Sequence, residues 1–121
     1  MKKPFLISTF ILFVLTISTF AQIPDSFKGT WDWKSPKGEL GDVTGTGFYT
    51  NDTIYVTFDS MSDVFPSEWV QFKSDTLRFS YTMYDTYHVT NWVILTSDST
   101  SRGKAESEAG LTEIFAKRRK E

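Results

Sequence analysis

The side chains that most often carry catalysis or bind metals are sparse in this sequence. His88 is the only histidine, cysteine is absent, and the serines form no G-x-S-x-G nucleophile elbow. A lone histidine with no neighbouring carboxylate or cysteine pattern is a poor metal site and lacks an orienting partner for acid–base work. We therefore expect His88 on the surface, no catalytic residues, no metal, no cofactor, and a protein that is not an enzyme.

The acidic residues suggest two further kinds of chemistry. A glycosidase needs two carboxyl groups about 5–9.5 Å apart across a cleft, and the spacing of the acids singles out no such pair. Asp59 and Asp63 flank a short polar segment that could contribute to a calcium site. Calcium takes about six to eight oxygen ligands, so we interpret this segment as a solvated loop.

Two further sequence features concern the surface. Asn51-Asp52-Thr53 matches a glycosylation sequon. The basic residues 117–120 are interpreted as a solubilising strand end rather than a polyanion site. Without residues 1–21, which hold two lysines and no acid, 11 basic and 15 acidic residues remain, a net charge of −4. This acidic balance argues against nucleic acid as a partner, because nucleic-acid binding rests on neutralising phosphates.

The first 21 residues have the pattern of a secretory signal peptide. Lys2 and Lys3 precede a mainly apolar stretch over 5–20, and Thr19-Phe20-Ala21 offers small residues before a cut. The apolar run is interrupted and shorter than the roughly 20 residues that span a bilayer, although an uncleaved anchor is the alternative. We expect cleavage after Ala21, no stable membrane span afterwards, and a secreted, periplasmic or extracellular product.

The remaining residues, 22–121, are enough for one domain and too few for two. Since the chain has no cysteine, no disulfide can stabilise this small domain. Its stability must come from packing, for which the many aromatic side chains supply large apolar surfaces.

Apolar and polar residues alternate along most of the domain, which is typical of strands with one buried face. Ile54, Val56 and Phe58 alternate with polar or outward positions, and the same pattern recurs through the chain. No stretch of helical length has a convincing 3.6-residue period. We predict strands near residues 27–34, 43–50, 53–59, 68–73, 76–83, 86–96, 101–107 and 111–118.

Polar pairs such as Asn51-Asp52 and Ser74-Asp75 mark tight turns between these strands. Segments 35–41 and 59–66 are predicted to be longer loops, and 92–95, apolar on both faces, to be covered outside or to contain a bulge. Short links join antiparallel neighbours, and closure removes exposed edges. The prediction is an all-β, antiparallel up-and-down meander of about eight strands closed into a small barrel.

The first predicted strand contains Phe27-Lys28-Gly29-Thr30-Trp31, which resembles the F-x-G-x-W opening of the lipocalin and fatty-acid-binding-protein (calycin) superfamily. The resemblance implies that Gly29 and Trp31 lie at the closed end of a barrel and that Arg118, from the last strand, stacks on Trp31 as a structural cation–π pair. It also implies a small hydrophobic ligand in the interior. The helical lid, the Arg-x-Tyr clamp and the C-terminal helix of those relatives have no counterpart here, and Gly29-Thr30-Trp31 also resembles avidin-type barrels without their biotin loop.

The inward parity of the strands defines candidate pocket walls. Tyr81, Tyr87 and Asn91 would supply the polar groups that orient a ligand in a mainly apolar site. The alternative is that the whole set packs as core, because a barrel of about eight strands is just filled by its side chains. The candidate ligand-binding residues are Val56, Phe58, Phe72, Phe79, Tyr81, Met83, Tyr87, Val89 and Asn91.

Two tryptophans, Trp69 and Trp92, have outward parity. They could form a protein- or glycan-binding patch, or neighbouring loops could cover them. The sequence thus favours a lipocalin-like exported domain that binds a small hydrophobic ligand. The alternative is a non-catalytic interaction or structural module with a filled core, acting through its outer face.

Overall fold

The computed structural model describes residues 22–37 and 41–120. The predicted signal peptide, residues 1–21, and its cleavage site lie outside the described residues, so the boundary of the domain stays a prediction. In the described part of the chain, no helix has the length and apolar character needed to cross a membrane.

The described residues form one short 3₁₀ turn and nine strands, which agrees with the predicted all-β class. The turn covers Asp25–Phe27. The strands are β1 Gly29–Lys37, β2 Gly41–Tyr49, β3 Ile54–Phe58, β4 Val64–Pro66, β5 Trp69–Lys73, β6 Thr76–Met83, β7 Tyr87–Leu95, β8 Thr100–Ser107 and β9 Gly110–Arg118.

The strands make one antiparallel sheet in the order β4-β3-β2-β1-β9-β8-β7-β6-β5. Strands adjacent in sequence pair with each other, except β4 and β5, which lie at the two ends of the sheet. In addition β1 pairs with β9, where Trp31 lies opposite Arg118. Since the first and last long strands meet in the middle of the sheet, the meander curls into a barrel-like shape. The apolar faces of the strands then point to a common interior.

The wall closes at a corner of the chain between β4 and β5. The amide of Ser67 donates to the carbonyl of Ile54 on β3 at 2.8 Å, and the amide of Glu68 donates to the carbonyl of Ser80 on β6 at 2.7 Å. Consecutive residues therefore bond to β3 and β6, the strands next to the two ends of the sheet order. Beyond this corner the seam is packed by side chains, with the ring centroids of Phe65 and Tyr81 6.3 Å apart.

Two glycines mark places where the curved wall has no room for a side chain. A Cβ atom on Gly45 would lie 2.0 Å from the carbonyl oxygen of Thr57 and 2.5 Å from the indole of Trp33. A Cβ atom on Gly103 would lie 1.9 Å from the carbonyl oxygen of Trp92. Glycine at such positions allows backbones to approach closely and a sheet to bend.

The structure differs from the sequence prediction in a few elements. The segment predicted to be a loop over 59–66 contains the short strand β4, which makes nine strands instead of about eight. Phe27 belongs to the 3₁₀ turn rather than to the first strand, and β1 continues to Lys37 with Pro36 opposite Asp42. The pairing of β7 with β8 runs in unbroken register from Thr90 to Leu95, so the apolar run there is an ordinary stretch of strand.

A candidate ligand site in the barrel interior

The 3₁₀ turn closes one end of the barrel with an aromatic plug. Phe27 is buried there, and its carbonyl oxygen accepts a hydrogen bond of 2.9 Å from Nε1 of Trp31. Its ring lies 6.4 Å from the ring of Tyr49 and 5.9 Å from the ring of Phe72, measured between centroids. These contacts fix the floor beneath the interior.

Arg118 holds the plug to the last strand. Its guanidinium carbon lies 4.5 Å from the ring centroid of Trp31, within the distance of a cation–π contact. Its Nε donates to the carbonyl of Asp98 at 3.0 Å, and its two terminal nitrogens donate to the carbonyls of Ser26 and Lys28. One side chain thus joins the plug, the first strand and the turn between β7 and β8.

Gly29 leaves space for the Arg118 side chain. Gly29 has a φ of +119°, a conformation that side-chain-bearing residues rarely adopt, and a Cβ atom there would lie 3.2 Å from a terminal nitrogen of Arg118. Gly29, Trp31 and Arg118, the residues singled out from the sequence for barrel closure, are therefore in mutual proximity at this end.

Above the plug the barrel encloses a cavity of about 40 Å³. That is room for a few water molecules and less than the roughly 150 Å³ apolar cavity that can hold benzene. The lining is mostly aromatic and aliphatic. It comprises Trp31, Trp33, Gly47, Tyr49, Ile54, Val56, Phe79, Tyr81, Asn91, Val93, Ser101, Arg102, Gly103, Ile114 and Ala116.

Two polar atoms on this lining are buried without a partner. Nε1 of Trp33 and Nδ2 of Asn91 have no hydrogen-bond acceptor anywhere in residues 22–37 and 41–120. Only 3% of Asn91 is exposed, so its amide is also sheltered from bulk solvent. Buried N–H groups are almost always paired in folded proteins, which makes these two donors the chemically distinctive feature of the cavity.

The surroundings of the cavity strongly disfavour charge. Burial raises the pKa of the Tyr49 phenol well above its ordinary value. Burial also raises the pKa of Tyr81, with a smaller contribution from nearby Tyr87. Both phenols therefore stay neutral under ordinary conditions, and the interior is a weakly polar compartment with N–H donors.

The nine predicted pocket residues divide into two groups. Val56, Phe79, Tyr81 and Asn91 line the cavity. The other five, which lie outside its lining, are Phe58, Phe72, Met83, Tyr87 and Val89.

The reasons differ among those five residues. Val89 is buried in the core, while Phe58 and Met83 are half-buried and pack against it. Tyr87, predicted to orient a ligand, has its hydroxyl 2.8 Å from Oγ of Ser107. Phe72 departs furthest from the prediction, because it is 41% exposed and packs against the plug at the barrel end.

Several lining residues were not predicted as pocket walls, although a sequence signal for them exists. Ile54 has the same parity as Val56, and Trp33 the same parity as Trp31, so alternation alone places them inside. The Trp33 ring contacts Phe58 edge-on, with centroids 5.1 Å apart, and lies over the bare backbone of Gly45. That arrangement depends on the curvature of the wall, which the sequence pattern does not specify.

Comparison with solved structures places the fold among small designed β-barrels. A redesigned β-barrel is 18% identical, covers 79% of this chain and 93% of its own length, and superimposes with a TM-score of 0.61. A second redesigned barrel, mFAP1, solved with DFHBI bound, is 14% identical and covers 78% of this chain and 95% of its own, with a TM-score of 0.59. EF1p2_mFAP2b, also solved with DFHBI, is 14% identical and covers 84% and 100%, with a TM-score of 0.59.

At these identities the likeness shows the fold alone: an antiparallel meander curled into a barrel. No protein-family model and no curated protein matches the chain. The resemblance to the lipocalin superfamily therefore stays a resemblance carried by one short motif and the barrel architecture.

The outer face carries a second arrangement of aromatic residues. The guanidinium carbon of Arg78 lies 5.3 Å from the ring centroid of Trp69 and 6.0 Å from that of Trp92. Trp69 is 39% exposed and Trp92 is half-buried. Arg78 thus bridges the two outward tryptophans.

The remaining polar candidates make local contacts. His88 is exposed, with Nδ1 2.8 Å from Oγ1 of Thr82. Asp59 accepts a hydrogen bond of 2.6 Å from the Thr44 hydroxyl. Within the described ranges no group of three or more His, Cys, Asp or Glu side chains is arranged to hold a metal ion.

Asp63, the other acid of the predicted loop, bonds across the seam of the barrel. It accepts a hydrogen bond of 2.9 Å from the Tyr84 hydroxyl, and this bond raises the pKa of Tyr84. The Tyr84 ring also packs edge-on against Phe65, with centroids 5.7 Å apart. The loop over 59–63 therefore serves to cover the seam.

Proposed function

We propose that this chain is an exported, non-catalytic barrel that binds a small, mainly apolar molecule in its interior. The observation that carries the proposal is the combination, in the lining of one cavity, of aromatic side chains with two residues that carry buried and unpartnered N–H groups. Ligand sites in proteins have this composition, a mostly apolar lining with a few placed polar groups. The designed barrels mFAP1 and EF1p2_mFAP2b, which share the fold, were solved with a small molecule bound.

A ligand must enlarge the cavity, because about 40 Å³ is far below the roughly 300–1,000 Å³ of typical ligand sites. The side chains that can move to make room lie at the end opposite the plug. Phe58, Met83 and Tyr87 are only half-buried there. Methionine is unbranched and adapts to changed surroundings at little cost. Entry from that end leaves the plug and its Arg118 contacts intact.

The test is a ligand panel applied to residues 22–121, including DFHBI and small aromatic and alicyclic compounds. A molecule that binds only the folded state must raise the melting temperature. At a ligand concentration of 100 times Kd it adds about 2.7 kcal/mol to the free energy of unfolding. Ala116→Leu, which adds carbon atoms into the cavity, should abolish the shift. Lys117→Leu, on the outward face of the same strand, should leave it unchanged.

A panel in which no compound shifts the melting temperature would contradict ligand binding. Binding that survives Ala116→Leu in a folded variant would contradict the interior location. Export is tested separately, by N-terminal sequencing of the protein recovered from the medium or periplasm. A chain that retains residues 1–21 there would contradict cleavage after Ala21.

The small cavity and the outer Trp69–Arg78–Trp92 group together favour a second candidate function, an interaction module with a filled core. The partner, a protein or a glycan, would cover the exposed ring of Trp69. In that case Trp69→Ser with Trp92→Ser abolishes partner binding while the domain stays folded. Ala116→Leu leaves partner binding unchanged, so the same two sets of variants distinguish the candidates.

A further inference from the structure

The two unpartnered donors specify the chemistry of the ligand, if the proposed interior binding is right. Trp33 Nε1 is a donor and can never accept, so the atom that pairs with it must be an acceptor. Asn91, on β7 rather than β1, lines the same cavity and carries the second unpartnered N–H group. Both groups therefore call for a hydrogen-bond acceptor in the cavity.

The charge of that ligand is limited by the lining. Arg102 is the one charged residue among those that line the cavity in the described structure. Its side chain is exposed on the outer face of β8. A buried carboxylate would therefore face no inward cation, and an ionised group left unpaired in such surroundings is strongly disfavoured. The raised pKa values of Tyr49 and Tyr81 reflect the same surroundings.

The remainder of the wall is apolar and largely aromatic, which suits a ring or a compact hydrocarbon body. Trp31, Tyr49 and Phe79 are all buried on this lining. We infer that the site selects neutral carbonyl compounds, such as cyclic or aryl ketones, whose oxygen accepts hydrogen bonds from Trp33 Nε1 and Asn91 Nδ2 while the hydrocarbon body packs on the aromatic wall.

The experiment compares pairs of probes that have the same shape and differ in the acceptor. Cyclopentanone is paired with methylenecyclopentane, and acetophenone with α-methylstyrene, so that C=O is replaced by C=CH₂. Binding to residues 22–121 is measured by titration calorimetry. Hydrophobicity alone favours the alkene, whereas two hydrogen bonds to buried donors favour the ketone by about ten-fold or more.

Substitutions then assign the preference to the two donors. Trp33→Phe and Asn91→Leu should each reduce the ketone preference to about three-fold or less, because each removes one buried N–H group. Trp92→Phe is the matched control, since it removes an indole N–H from the outer face of β7 and should leave the preference unchanged.

Each outcome has a distinct meaning. Equal or tighter binding of the alkenes overturns the carbonyl assignment while leaving interior ligand binding in place. A ketone preference that persists in both Trp33→Phe and Asn91→Leu also overturns it. If neither member of either pair binds, the carbonyl assignment fails, and the wider ligand panel decides whether interior ligand binding fails with it.

Discussion

Replacing Asn91 by leucine should stabilise the ligand-free protein, an unusual result for a change at a buried position. Only 3% of the Asn91 residue is exposed, and its Nδ2 has no acceptor in the described structure. A buried polar group without a partner costs about 1–3 kcal/mol, and Asn91→Leu removes that cost. The larger side chain also extends into the adjoining cavity.

The second contribution is set by the cavity volume. Filling up to about 40 Å³ at roughly 24 cal/mol per Å³ adds at most about 1 kcal/mol. The strain of fitting a branched leucine side chain into a small cavity offsets part of both gains. The expected net change in the free energy of unfolding is about +1 to +2 kcal/mol. For a domain near 100 residues this corresponds to a rise in melting temperature of about 4–16 °C.

The assay is urea unfolding followed by tryptophan fluorescence, with calorimetry for the melting temperature. Asn91→Ala serves as the control, because it removes the amide but enlarges the cavity, and should be no more stable than the native chain. If Asn91→Leu melts at or below the native temperature, then the amide has a satisfactory partner in the folded protein. Asn91 Nδ2 would then not be an unsatisfied donor waiting for a ligand acceptor.

Other changes test the closed end, the curved wall and the interior phenols. Arg118→Met should lower the melting temperature by about 8 °C or more, since three carbonyls lose a charged donor, and circular dichroism melts measure it. Gly45→Ala should destabilise the fold far more than Gly47→Ala, whose added methyl group meets only a ring edge at 3.0 Å, as urea midpoints will show. Tyr49 and Tyr81 have raised pKa values in the folded state, so their stability contribution is complete below about pH 10 and is lost as the pH rises further. A double Tyr→Phe variant should show a shallower loss of stability between about pH 10 and 12, and an unchanged slope would contradict their burial as neutral phenols.

Alternation predicted which face of each strand is buried, because side-chain direction has a period of two regardless of the final fold. Val56, Phe79 and Val89 are all buried as their parity requires. Parity does not report how far along the barrel a residue lies. Phe72 has inward parity, yet β5 is short and places it at the barrel end, where it is partly exposed.

The unpartnered donors of the cavity could not be predicted from the sequence for a different reason. Asn91 was predicted as a polar group of the pocket from its parity, and it lies there. That its Nδ2 and the indole N–H of Trp33 lack acceptors depends on curvature, register and the close approach at Gly45, which emerge only when the sheet has closed. The same holds for Arg78, whose position between two tryptophans follows from the register of β5, β6 and β7.

The pairing of β1 with β9 has a consequence for how the molecule is made. Every other ladder joins strands that are adjacent along the chain and can form as soon as both are synthesised. Trp31, by contrast, obtains its partner Arg118 only after all nine strands have been synthesised. Until the β1–β9 ladder forms, the aromatic residues of the interior are not enclosed, so the burial of the core depends on this one pairing of distant segments.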